Sequence, residues 1–148
     1  MNSVFKSIKH LLVAIMLMTF CVMASAATQN YSTAVPGVVV IPLHLDGQFT
    51  ATTNPVAKFA IPFGAKLIGV SANARASGGT SPTLTVDVED DGTSVLSSAI
   101  SITAGTISEG TIANATIADE SVIEVVLTIG GSSPTWDDIT VLMTVVRN

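Results

Sequence analysis

The sequence predicts an all-β fold: an antiparallel β-sandwich or jelly-roll of about eight strands, preceded by a cleavable signal peptide. Three features lead there. Beyond residue 26 Thr, Val, Ile, Ala, Ser and Gly dominate, apolar side chains recur at a period of two, and turn residues punctuate the chain roughly every ten positions. β-Branched residues fit a pleated, half-buried surface better than a helix, and strict alternation places one face of a strand in a core and the other in water.

The first 26 residues have the three parts of an export signal. Lys6, Lys9 and His10 form a positive start, Leu11 to Ala24 an apolar stretch, and Ala24-Ser25-Ala26 a small-residue cleavage site before Ala27. The apolar stretch is shorter than the roughly 20 residues a membrane-spanning helix needs. The expected product is therefore secreted or extracytoplasmic, in the periplasm, at the cell surface or outside the cell, with no stable membrane span after cleavage. Residues 27–36 are polar and read as a flexible arm, and residues 37–148 as one β-sandwich domain.

Within that domain Ile68, Val70, Ala72, Ala74 and Ala76 share one face of an extended segment. Leu84, Val86 and Val88 share another, and Ile139, Val141, Met143 and Val145 a third. Asp46-Gly47 is a two-residue hairpin signal, since both central positions of that turn need positive φ. Further breaks are expected at Asn54-Pro55, Ser77-Gly78-Gly79, Asp90-Asp91-Gly92, Asp119-Glu120 and Gly130 to Pro134, giving strands of even length. A five-residue repeat places Ile107, Ile112 and Ile117 at equal intervals; it is read as an irregular, bulged strand rather than a solenoid, which needs several stacked units.

Charge and rare residues exclude several functions. Lys6 and Lys9 leave with the leader, so four basic residues face eleven acidic ones, a net charge of −7, and none of the basic residues lies between Ala76 and Val146. Nucleic-acid binding draws on clustered Lys and Arg, so that partner class is excluded. Cys21, the only cysteine, also leaves with the leader, which removes disulfides, thiol nucleophiles and thiolate metal ligands. His44 is the single remaining imidazole, alternating within a strand, and no nucleophile elbow, phosphate loop or zinc-binding helix is present. No catalytic residue and no firm metal site are assigned, and the protein is not expected to be an enzyme.

Two acidic clusters remain. Asp87 and Glu89 project from one face of a strand, with Asp90 and Asp91 at the following turn. Such oxygen ligands suit calcium, although a charged strand end is also a common guard against edge-to-edge aggregation. Trp136, Asp137 and Asp138 form the second cluster, where an indole could stack on a sugar ring while the carboxylates accept its hydroxyl protons; the alternative is an indole plugging the core at a strand end. Calcium is thus the one cofactor under consideration and a glycan a candidate partner.

The stretches Phe59 to Ala72, Thr85 to Leu96 (TVDVEDDGTSVL) and Asp138 to Val145 resemble small β-sandwich proteins encoded in phage and prophage structural regions, over residues 56–146. In that family an apolar strand precedes a valine-aspartate, glycine-threonine-serine hairpin, and an alternating final strand closes the sheet. The export signal departs from that pattern, and no functional residue is carried over. The resemblance implies a non-catalytic structural or surface-assembly module, virion- or fibre-associated, whose partner is a homo-oligomer or another structural protein. The second expectation is an extracellular module binding calcium or carbohydrate.

Overall fold

The computed structural model describes residues 37–148; the predicted leader (1–26) and arm (27–36) lie outside the described residues. The strands are β1 (Val38–Phe49), β2 (Thr53–Ile61), β3 (Ala65–Asp90), β4 (Thr93–Ser94), β5 (Ile100–Ser101), β6 (Ser108–Glu109), β7 (Thr116–Ile117) and β8 (Ser121–Arg147). They form one open antiparallel sheet. β3 and β8 pair along their whole length, β1 and β2 line the far side of β8, and β4 to β7 line the far side of β3. No described helix is long and apolar enough to cross a membrane.

The strands are far from even. β3 and β8 have 26 and 27 residues, whereas β4 to β7 have 2 each. Two expected turns are real: Asp91-Gly92 joins β3 to β4, and Asp119-Glu120 precedes β8. The others fall inside strands. Asp46-Gly47 is a bulge in β1, where the register slips between Leu45 and Gln48, and Asn54-Pro55 sits at a comparable slip in β2. Ser77-Gly78-Gly79 and Gly130 to Pro134 face one another across the middle of the β3–β8 ribbon, where the register slips twice.

Hydrogen bonds show what happens at that point. Ile102 N–H donates to the Leu84 carbonyl (2.9 Å) and Gly105 N–H to the Ala74 carbonyl (2.8 Å). Three residues of chain reach about 11 Å at most, whereas ten residues of straight strand would separate Ala74 from Leu84 by about 33 Å. β3 must fold back on itself. The other side of the ribbon agrees: Phe49 pairs with Trp136 and Thr53, four residues on, pairs with Leu127, nine residues away along β8.

Glycine permits the fold-back. Gly79 (φ 96°) and Gly131 (φ 111°) lie in a region closed to side chains, flanked by Ser81 and Ser133 in the left-handed region. A Cβ on Gly131 would stand 2.6 Å from the Ser81 carbonyl oxygen, and one on Gly79 would stand 2.8 Å from that of Ser132. Each long strand thus turns on a glycine pressed against the other strand's backbone.

Folding the ribbon brings its apolar faces into one cluster. Leu84, Val86 and Val88 join Ile123, Val125 and Leu127 from one arm, and Val70, Ala72 and Ala74 join Ile139, Val141, Met143 and Val145 from the other; all are buried. Ile68 departs from its expected face and is 47% exposed, because the register slip between Leu67 and Gly69 turns it outward. Asp91 to Ala118, here the strap, runs back along β3 and completes the core with Val95, Leu96, Ile100, Ile102 and Ile117. The five-residue repeat gives its isoleucines no common environment: Ile107 is exposed, Ile112 half-buried and Ile117 buried. An odd period in an extended chain alternates faces, so equal spacing does not mean equal burial.

Candidate functional site

The first acidic cluster fastens the β3–β4 turn. Asp87 Oδ1 accepts hydrogen bonds from the Ser94 hydroxyl (2.7 Å) and from Val88 N–H (2.8 Å). Asp91 exchanges two bonds with Val122: its N–H donates to the Val122 carbonyl, and its Oδ1 accepts from Val122 N–H (2.9 and 3.1 Å). Glu89 lies opposite Glu124, whose carboxylate pairs with Lys58 of β2. One oxygen of Asp90 is buried without a hydrogen-bond partner among the described residues. Asp87 and Asp91 are therefore committed to the chain itself, and among the described residues no group of three or more His, Cys, Asp or Glu is arranged to hold a metal ion.

The second cluster divides. Trp136 is 2% exposed, a core residue between Phe49 of β1 and Ser77 of β3. This is the core-plug alternative rather than the sugar-stacking one, since a ring enclosed by core side chains has no face to offer. Its indole Nε1 is buried without a partner among the described residues. Asp137 and Asp138 do reach the surface and are tied down there. The Arg75 Nε–H donates to Asp138 Oδ2 (2.6 Å), Gly47 N–H to Asp138 Oδ1 (2.9 Å), and the Gln48 amide to Asp137 Oδ1 (3.1 Å).

Asp138 adopts a left-handed conformation (φ 46°) opposite the β1 bulge, which aims its carboxylate at both neighbouring strands. The Gly47 N–H, with the Arg75 guanidinium, holds the Asp138 carboxyl below the usual carboxylate range, and the same ion pair raises the Arg75 pKa. Arg75 and Asp138 are 63 residues apart, and no local pattern announced their meeting.

His44 joins the same surface. Its Nε2 lies 3.0 Å from Asp46 Oδ1 and its Nδ1 shares a 2.7 Å hydrogen bond with the Thr140 hydroxyl. An ionised carboxylate only accepts, so in the neutral ring Nε2 carries the proton and Thr140 donates to Nδ1. This hydroxyl, imidazole and carboxylate chain was not foreseen. Asp46 is 86% exposed in its side chain, so water solvates the carboxylate that would have to stabilise an imidazolium. The group pins the β1 bulge to β8.

The remaining feature is the start of β1. Arg147 N–H donates to the Gly37 carbonyl (2.7 Å), and alternation along an antiparallel pair then turns the backbone groups of Val39, Ile41, Leu43 and Leu45 toward β8. Those of Val38, Val40, Pro42 and His44 point to the opposite side, where no described strand pairs with them. Pro42 occupies an outward position, so its missing N–H costs the β1–β8 ladder nothing. Side chains obey the same alternation: Ile41, Leu43 and Leu45 pack on the core, while Val40 is 56% exposed. Beside Val40, across Thr144, a shallow cleft of about 330 Å³ lies among Ile68, Gly69, Ser71, Leu142 and Ile112.

No protein-family model matches the chain, and no curated protein matches it. Among solved structures, one similar chain belongs to the structure of infectious bursal disease virus Gx strain, at 18% identity and a TM-score of 0.42. The match covers 76% of the present chain and 32% of the viral one, so this chain spans about a third of that protein's length.

Proposed function

We propose that this protein is an exported, non-catalytic assembly module whose domain pairs with other chains through the open edge of β1. The observation that carries this reading is Val38-Val39-Val40-Ile41: four consecutive β-branched residues on a strand edge unpaired among the described residues, Val39 and Val40 being 37% and 56% exposed. An exposed, uncharged strand edge is a template for strand addition from another chain. The polar groups elsewhere support a non-catalytic role, because Asp87, Asp91, Asp137, Asp138 and His44 each bond to other parts of the chain.

The finer fold belongs to the same reading. A ribbon folded on itself around one core is what a two-layered sandwich of the jelly-roll kind requires, and such layers suit a surface or particle coat. The apolar start and small-residue cleavage site support secretion. The test is sedimentation of the exported protein across a wide concentration range. The reading expects mass to rise with concentration and Val40→Lys to abolish the rise; a monomer throughout would exclude it.

A further inference from the structure

We infer that the occupant of the β1 edge is a second copy of this chain, joined about a two-fold axis through Val39. The inference rests on the reading of β1 as an assembly edge and adds the partner and the register. Val38 and Val40 each present an N–H and a C=O that no described strand pairs with, and the sequence brackets them with Pro36 and Pro42, three residues on either side of Val39. Neither proline has an N–H to donate.

Antiparallel pairing centred on Val39 sets Val38 against Val40 of the partner subunit and Val40 against Val38 of the partner subunit. Both pairs then exchange two N–H···O=C bonds, so the four groups that Val38 and Val40 present in each copy are all used. Centring one residue later would set Pro42 against Val38 of the partner subunit and leave the Val38 carbonyl of each copy without a donor. The arrangement is isologous, as a closed dimer requires, and Pro42, with no N–H to donate, limits its ladder.

Charge permits it as well. β1 carries none from Val38 to Leu43. His44 and Asp46 stand at least five residues from the axis, about 16 Å along the strand, so like charges do not meet. The pairing also continues the outer face of the sheet across the axis, bringing Val38 and Val40 of the two copies side by side.

Disulfide trapping reads the register. On the axis, Val39 and Val39 of the partner subunit form a non-hydrogen-bonded pair with Cα atoms about 4.5 Å apart, inside the range a disulfide spans. In full-length chain carrying Cys21→Ser, Val39→Cys is expected to run largely as a disulfide-linked dimer after air oxidation. Ile41→Cys is expected to stay unlinked, because its two copies lie four residues out of register. If Val39→Cys does not fold, outward-facing positions give the same reading: mixed Val38→Cys and Val40→Cys chains should link to each other and neither to itself. A concentration-dependent dimer that links at Ile41 and not at Val39 would overturn the register and leave the assembly reading standing. Absence of any dimer in sedimentation of the unsubstituted protein would overturn both.

Discussion

The two sides of this sheet handle the same hazard in opposite ways. The far side of β3 is covered by the strap, which touches it through four strands of two residues each and through single bonds from Ile102, Gly105 and Gly110. The far side of β8 carries β2 and β1, the latter a strand of 12 residues. Its distal half is blunted by Pro42, by the Asp46-Gly47 bulge and by the His44, Asp46 and Thr140 chain. Among the described residues, the first ones of β1 have no such guard. On the proposed reading, a sheet that conceals one edge with irregular chain and leaves β-branched residues on the other associates through the exposed one.

Removing the ribbon's fold-back should erase the distinction between the edges. Gly131→Val places a side chain at φ 111°, against the Ser81 carbonyl, and is expected to cost about 3 kcal/mol or more in urea unfolding. Loosening the strap is the next largest effect. Leu96 is 4% exposed and bridges to Ile112, so Leu96→Ala should cost about 2–4 kcal/mol. It should also add a second mode of self-association by uncovering β3, visible as light scattering that Val40→Lys does not suppress.

Asp87→Ala removes the acceptor of two hydrogen bonds at the strap's first turn and is expected to cost about 1–2 kcal/mol, with faster amide exchange confined to residues 87–96. On the open side, Val40→Lys should change stability by no more than about 0.5 kcal/mol while removing self-association. Asp138→Asn gives the smallest change and the most specific one. Because the folded Asp138 pKa is depressed, its contribution is present above the ordinary carboxylate value of about 3.9 and is lost as pH falls through the folded value. Asparagine tolerates the left-handed conformation, so the variant should keep the fold and show a flatter decline of stability below about pH 4.

The faces of the strands were legible because alternation is local. Leu84, Val86 and Val88, and Ile139, Val141, Met143 and Val145, are buried as their spacing predicts. Strand boundaries were not legible, for a physical reason. Positive φ at glycine serves a turn and a bulge equally well. Gly92 ends a strand, whereas Gly79 and Gly131 bend two strands that continue, and the difference lies in pairing between residues about fifty positions apart. The site was legible in composition only. Val38 to Ile41 are four β-branched residues in a row, a composition that suits strand pairing, yet their position at an edge depends on the distant β8. Trp136 beside two aspartates suggested a ligand surface, but strand alternation sends the indole into the core and leaves the carboxylates to Arg75, Gly47 and Gln48.

Sedimentation velocity of the unsubstituted protein beside Val40→Lys, from micromolar to near-millimolar concentration, probes the open edge most directly. The account expects the unsubstituted chain to shift from monomer toward dimer as concentration rises, and the lysine variant to remain monomeric with an unchanged circular dichroism spectrum. Identical behaviour of the two proteins, whether both monomeric or both associated, would contradict it.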